Sequence, residues 1–171
     1  ITVFGAGSWG TALANLLGEL GHRVVLWCRR SDQARAINLL GENPNYLRGY
    51  RISSNVTATS KIDEAIESPK WVLALPTQSV RGFLMELSGN MAPQRPEICN
   101  VAKGIEIDSV STVSEIVKNV LGDVSYSVLS GPSHAEEVIR GFPTAVVVAS
   151  LRVEAAEMWQ NVFSRPTFRV Y

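Results

Sequence analysis

Short apolar runs alternate with stretches of helical period along most of the chain. The runs are bounded by Gly, Pro or Ser, a pattern typical of buried strands that are joined by helices. The predicted strands cover residues 1–4, 23–28, 55–58, 71–74, 98–101, 125–129, 144–149 and 167–170. The pattern therefore predicts an α/β domain, built from repeated βα units around a mainly parallel sheet.

The first predicted helix has the clearest period, because five apolar side chains recur at steps of three or four residues before Gly21 ends it. These side chains are Trp9, Leu13, Leu16, Leu17 and Leu20. Further helices are predicted over residues 31–39, 62–66, 78–87, 109–121, 134–139 and 154–163. Residues 41–54 have no clear period, so we predict a loop there.

Length and composition limit the classes of function. A chain of 171 residues with 46% hydrophobic and 19% charged residues fits one globular domain. Sixteen basic residues balance sixteen acidic ones, so no general cationic field draws the chain to nucleic acid or anionic lipid. We expect no nucleic-acid partner, no membrane insertion and, with only two Cys and two His, no bound metal. Because two cysteines are too few for a disulfide framework, we also expect a reducing, cytoplasmic compartment.

A glycine-rich turn follows the first predicted strand. Gly5, Gly7 and Gly10 have the G-x-G-x-x-G spacing and stand between a strand and an amphipathic helix, as dinucleotide binding requires. Gly5 permits the tight turn, Gly7 lets the backbone approach a pyrophosphate, and Gly10 allows close packing of helix on strand. The alternative is a tight turn with a purely structural role. The motif favours a Rossmann-type, doubly wound sheet with helices on both faces.

The end of the second strand bears on the choice of dinucleotide. An acidic residue there would bind the ribose 2′-hydroxyl of NAD, but this sequence has Arg29 and Arg30. Guanidinium groups suit a 2′-phosphate, so NADP is expected to bind at least as well as NAD. Asp32 is interpreted as a residue that caps or opens the next helix. The alternative is that both arginines are solvated surface charges.

Ligands of open α/β sheets bind beyond the carboxyl ends of the strands, and three further strand ends carry polar groups. Pro76 and Thr77 follow the fourth strand, where they would border the cofactor. The alternative is that Thr77 or Ser79 only caps a helix. Lys103 follows the fifth strand, with Gly104 allowing a sharp turn beside it. This lysine either binds a phosphate or polarises a carbonyl, or it is a solvated loop cation.

The third such segment follows the sixth strand. Gly131 and Ser133 are candidates for binding a substrate phosphate through backbone N–H and hydroxyl groups. Ser133 and Glu136 also have the spacing of a capping box, which is the purely structural interpretation. His134 is either a general acid or base or a residue of the first helical turn.

Taken together, these segments resemble the bacterial type of NAD(P)-dependent glycerol-3-phosphate dehydrogenase. The matching stretches are residues 5–14 (GAGSWGTALA), 103–106 (KGIE), 129–137 (LSGPSHAEE), 143–145 (PTA) and 168–171 (FRVY), with shorter echoes at 45–47 and 76–78. The resemblance implies hydride transfer between NAD(P)H and dihydroxyacetone phosphate, which yields glycerol 3-phosphate for phospholipid synthesis. It also implies a homodimer when the protein is full length.

The resemblance assigns roles by position. It implies that Lys103 supplies charge beside the developing alkoxide, and that Lys103, Gly131 and Ser133 contact the substrate. The residues that it places against the nicotinamide cofactor, besides the turn glycines and Pro76, are Ser8, Trp9, Arg29, Arg30, Lys103 and Ala135.

The family continues into a helical domain that holds a second lysine as the acid/base, and that domain is absent from these 171 residues. We therefore interpret residues 1–171 as the NAD(P)-binding domain of a longer protein, and expect cofactor binding with little or no turnover. Residues 41–54 lack the Leu-Pro pair expected from the family, so no contacts are assigned to them. Two alternatives remain: another dehydrogenase, of the 6-phosphogluconate or hydroxyacyl-CoA type, and a non-catalytic dinucleotide sensor.

Overall fold

The computed structural model describes residues 1–89 and 95–171. Eight strands form one sheet in the order β3-β2-β1-β4-β5-β6-β7-β8. In chain order they are β1 (Thr2–Phe4), β2 (Val24–Trp27), β3 (Val56–Thr59), β4 (Lys70–Leu73), β5 (Glu97–Asn100), β6 (Ser125–Ser130), β7 (Thr144–Ser150) and β8 (Phe168–Val170). Neighbours from β3 to β6 are parallel, β7 is antiparallel to β6, and β8 is parallel to β7.

The helices cover both faces of this sheet, because each presents one apolar stripe to it. They are α1 (Ser8–Glu19), α2 (Ser31–Leu40), α3 (Ile62–Ala65), α4 (Thr77–Ser88), α5 (Val113–Leu121), α6 (Ala135–Ile139) and α7 (Val153–Phe163). Helices α1, α2, α6 and α7 contribute to one buried apolar cluster. Helices α3, α4 and α5 contribute to the cluster on the other face. The predicted doubly wound, mainly parallel α/β fold is confirmed.

Most predicted elements agree with the structure to within one or two residues, and helix α5 is the main exception. The period predicted a helix from residue 109, but α5 begins at Val113. Thr112 and Glu115 form a capping box, in which each side chain accepts from the backbone N–H of the other residue. This cap fixes the start of α5. Residues 105–112 are left to form a separate loop, which an isolated bridge between Ile105 and Thr112 closes.

The loop prediction for residues 41–54 is confirmed, because these residues, all of them described, form no helix or strand. Within the described residues, their only β-type pairing is one isolated bridge between Glu42 and Arg51. Cys28 and Cys99 are free thiols in the interior, and burial raises the pKa of Cys28 to about 12. None of the helices within the described residues has the length and apolar character needed to cross a membrane.

Candidate functional site

A cleft of about 1270 Å³ opens at the carboxyl ends of β1, β2, β4 and β5. Its lining includes the predicted residues Gly5, Gly7, Ser8, Trp9, Gly10, Arg29, Pro76, Lys103, Ser133 and Ala135. The predicted residues Arg30 and Gly131 are not part of the lining. Segments that are distant in the sequence thus meet at one edge of the sheet, where α/β folds bind their ligands.

The three glycines of the turn meet different steric demands. Gly5 has φ +111°, and a Cβ there would press on the carbonyl of Ala74 at the end of β4. A Cβ at Gly10 would overlap the carbonyl oxygen of Gly5, so the first turn of α1 can approach β1 only without a side chain at this position. A Cβ at Gly7 would meet no atom within 4 Å. The space at Gly7 therefore belongs to the cleft, and the turn can receive a ligand there.

Two buried amide side chains hold the same turn from behind. The carbonyl of Ala6 accepts from Gln33 Nε2 at 2.8 Å and from Asn43 Nδ2 at 3.0 Å. Asn43 Nδ2 also donates to Thr11 Oγ1 at 2.8 Å. Asn43 has no exposed surface, and Gln33 is 7% exposed. Residues 41–54, to which the sequence assigned no contacts, are therefore tied to the glycine turn.

The two arginines after β2 lie in different surroundings. Arg29 is exposed and lines the cleft. Arg30 is the N-cap residue of α2, and its Nε lies 3.5 Å from Asp32 Oδ1 in an exposed ion pair. Asp32 stands in the first turn of α2, as expected for a residue that opens this helix. Of the two arginines, Arg29 is consequently the one available to an anionic group in the cleft.

The segment after β4 begins α4 without a side-chain cap. Pro76 is the N-cap residue, so the interpretation of Thr77 or Ser79 as a helix cap is wrong. Thr77 Oγ1 instead donates to the carbonyl of Lys103 at 2.9 Å. Its role is to join the segments that follow β4 and β5.

Lys103, Gly131 and Ser133 converge, as the substrate-site prediction requires. Lys103 Nζ donates to the carbonyl oxygen of Gly131 at 3.1 Å, and Ser133 Oγ donates to the same oxygen at 3.3 Å. A Cβ at Gly131 would lie 3.0 Å from the carbonyl oxygen of Ala145, so the backbone passes close to β7 here. The three residues form a polar corner of the site, and the Lys103 ammonium is its cation.

The interpretation of Ser133 and Glu136 as a capping box is wrong. His134 is the N-cap residue of α6 and makes no side-chain cap. The Ser133 hydroxyl instead donates to the carbonyl of Gly131. Both Ser133 and His134 line the cleft, so their side chains are available to a ligand.

Helix α4 holds the loop that carries Lys103. Gln78 donates from Nε2 to the carbonyl of Ile105 at 2.8 Å and accepts from the N–H of Ile107 at 3.0 Å. Arg81 binds both carboxylate oxygens of Glu106, with Nη2 lying 2.7 Å from Oε2. Glu106 is 7% exposed and also accepts from the Ser109 hydroxyl. Lys103 therefore projects from a loop that side chains of another helix fix in place.

The Arg81–Glu106 pair makes the stability of this loop depend on pH. The guanidinium of Arg81, helped by the Ser109 hydroxyl, lowers the pKa of Glu106 from its ordinary value of 4.5. A lowered folded-state pKa stabilises the fold above pH 4.5, and this contribution is lost as pH falls through the folded value. We expect Glu106→Gln to lower the thermal unfolding midpoint at pH 7, with the deficit shrinking towards pH 3.

The check is thermal unfolding of both proteins by circular dichroism over that pH range. Glu67→Gln, at an exposed position, is the matched control and should change the midpoint little at any pH. A deficit for Glu106→Gln that stays constant from pH 7 to pH 3 would rule out the carboxylate as its source.

Several lining residues have no motif that sequence reasoning could have used. Trp27 and Phe83, whose ring centroids are 4.9 Å apart, form an aromatic wall with Ile62 on one side of the cleft. Gln33 and Tyr46 line it on the side of α2 and residues 41–54. The only sequence signal for Tyr46 was the short family echo at 45–47.

Comparison with known proteins gives concordant matches. The model of the family "NAD-dependent glycerol-3-phosphate dehydrogenase N-terminus" matches residues 1–156. Glycerol-3-phosphate dehydrogenase [NAD(P)+] of Moorella thermoacetica is 46% identical over all of this chain, which corresponds to 51% of that protein. The enzyme of the same name from Bacillus velezensis is 39% identical and is covered to 50%.

The fold of a solved relative agrees. The crystal structure of glycerol-3-phosphate dehydrogenase from Coxiella burnetii matches 99% of this chain and 52% of its own, with a TM-score of 0.94 and 30% sequence identity. The chain thus spans about half the length of the curated relatives it matches. Because the family model covers most of these residues, the chain belongs to the family of NAD-dependent glycerol-3-phosphate dehydrogenases, whose N-terminal part it matches.

Proposed function

We propose that residues 1–171 are the NAD(P)-binding domain of an sn-glycerol-3-phosphate dehydrogenase. The observation that carries this proposal is the convergence of the glycine turn and Lys103 on one cleft. The cleft is large enough for a dinucleotide, since sites for smaller ligands occupy about 300–1,000 Å³. The open space at Gly7 and the positive N-terminal end of α1 fit a pyrophosphate.

The nicotinamide cofactor supplies the hydride when it is bound. This chain's residues bind and orient: Gly5, Gly7 and Gly10 shape the turn, and Ser8, Trp9, Pro76 and Ala135 border the cofactor. Arg29 offers its guanidinium to the adenosine ribose, with Arg30 as the second candidate.

The polar corner would serve the substrate. The positive charge of Lys103 would stabilise the substrate's carbonyl oxygen as it becomes an alkoxide. This stabilisation is largest where water is excluded. Lys103, Gly131 and Ser133 would hold dihydroxyacetone phosphate there. A proton donor for that carbonyl oxygen would come from the half of the relatives' length that these 171 residues do not cover, so residues 1–171 alone should give little or no turnover.

Fluorescence titration tests the proposal, because Trp9 and Trp27 line the cleft and report on a bound nicotinamide nucleotide. We expect saturable quenching by NADH and NADPH, and no oxidation of NADH when dihydroxyacetone phosphate is added. ATP, which lacks the nicotinamide half, should bind more weakly than either. Absence of saturable binding of both reduced nucleotides would contradict the proposal.

The proposed setting is the cytoplasm, with a homodimer as the full-length assembly. The free, buried state of Cys28 and Cys99 is compatible with a reducing compartment. Among the alternatives, a non-catalytic sensor would share the dinucleotide site. It would not need the Lys103 ammonium beside Gly131 and Ser133, and that arrangement favours the enzyme.

A further inference from the structure

The carbonyl of Ala6 points towards two buried amide side chains. It accepts hydrogen bonds from Gln33 Nε2 and Asn43 Nδ2, at 2.8 and 3.0 Å. Asn43 is fully buried, and the other polar contacts of its side chain are to Thr11 Oγ1, the backbone N–H of Asn45 and Gln33 Nε2. Two side chains from separate segments thus bind one backbone oxygen, more than the orientation of an ordinary turn requires.

The orientation of this carbonyl determines the direction of the next N–H. Peptide units in the described residues are trans, so the Ala6 carbonyl and the Gly7 N–H point in opposite directions from one planar unit. With the carbonyl fixed in the interior, the N–H of Gly7 is directed to the cleft side. Within residues 1–89 and 95–171 no backbone or side-chain acceptor binds this N–H, and the adjacent space is open.

We propose that Gln33 and Asn43 are positioning residues, which direct the Gly7 N–H at the cofactor's pyrophosphate. The inference rests on the proposed function, because it requires a dinucleotide in the cleft. Without the two amides, the peptide between Ala6 and Gly7 is free to rotate and present its carbonyl oxygen to the phosphates. An N–H donor that is held in place before binding contributes more to affinity than one that must be ordered during binding.

The two residues differ in a way that separates positioning from direct contact. Gln33 lines the cleft and is able to touch a ligand itself. Asn43 has no exposed surface and is absent from the lining, so it acts on a ligand only indirectly, through groups that it binds, and the Ala6 carbonyl is the one that Asn43 and Gln33 share. A similar loss of affinity from both variants would therefore indicate a common path through that peptide.

The test compares NADH binding by Gln33→Met, Asn43→Ala and Gln160→Met in the full 171-residue chain. Gln160 is the matched control, because its Nε2 donates to the backbone carbonyl of Val170 at 2.8 Å, on α7 and away from the cleft. We expect each of the two cleft-side variants to weaken NADH binding about fivefold, the scale of one lost hydrogen bond. The control should bind as the wild type does.

Amide NMR supplies the readout that a purely structural role would not change. In the wild type, NADH should shift the Gly7 resonance strongly, as expected for a new hydrogen bond to phosphate. The shift should be smaller in Gln33→Met and Asn43→Ala at saturating NADH, while circular dichroism remains that of the folded chain. If one variant fails to fold, the Gly7 measurement on the wild type still tests the contact that the inference requires, and the other variant tests the positioning.

Failure of the proposed function and failure of the positioning role give different results. Wild-type chain that does not bind NADH contradicts the proposed function and this inference with it. Wild-type chain that binds NADH overturns the positioning role alone, if its Gly7 resonance does not move or if the folded variants bind within twofold of Gln160→Met.

Discussion

Replacing Gly10 with alanine is expected to destabilise the chain by about 3 kcal/mol and to abolish cofactor binding. The added Cβ would overlap the carbonyl oxygen of Gly5, and it would lie 3.1 Å from Ala74 Cβ. These neighbours belong to the turn and to the residue directly after β4, so relief requires α1 to move away from the sheet. Urea unfolding and NADH titration measure the two effects.

Gly82→Ala is the matched control for this change. Gly82 is exposed within α4, and a Cβ there would meet no atom within 4 Å. Alanine in place of a helical glycine should therefore raise stability by roughly 0.5–1 kcal/mol and leave NADH binding unchanged. Equal stabilities of Gly10→Ala and the wild type would contradict the close approach seen at the turn.

Removal of the Arg29 side chain is expected to change cofactor preference. Arg29→Ala should weaken NADPH binding about tenfold and NADH binding little, because a charge-assisted hydrogen bond to the 2′-phosphate is lost. Arg30 is already paired with Asp32 and does not line the cleft. Arg30→Ala, which removes the same charge one position along, should therefore change NADPH affinity less than Arg29→Ala does.

The measurement is a fluorescence titration of the wild type and both variants with each nucleotide. Repeating it at higher salt should reduce the NADPH effect, since Arg29 is exposed and its charge is screened. An NADPH-to-NADH affinity ratio that stays at the wild-type value in Arg29→Ala would remove this residue from the 2′-phosphate site.

The fold was predictable because its signals are local. The period of α1, the stop at Gly21 and the apolar strands each occupy one short stretch of sequence. The reversal of β7 was not predictable, because the run from Thr144 to Ala149 is apolar at nearly every position and carries no mark of strand direction. Only in the structure does its alternation of buried and exposed residues emerge, with one side of the strand against α7 and the other uncovered.

The site divides in the same way. Gly5, Gly7 and Gly10 were predicted because their spacing encodes the turn directly. Gln33 and Asn43 were missed because their partner is a backbone carbonyl 27 and 37 residues away, and a backbone atom leaves no trace in side-chain patterns. The capping-box interpretation of Ser133 and Glu136 failed because α6 begins one residue later than it requires. Ser133 has the required spacing with Glu136, but His134 is the N-cap residue of α6, and the Ser133 hydroxyl donates to the carbonyl of Gly131.

The fixed lysine loop has a consequence for the thermodynamics of binding. Thr77, Gln78 and Arg81 hold residues 103–107 in place before any ligand arrives. A mobile loop would lose conformational entropy when the ligand binds. This loop loses that entropy during folding instead. The entropy of cofactor association should therefore be dominated by water released from the cleft, and its heat capacity change should match the apolar surface covered, with no added contribution from ordering a loop.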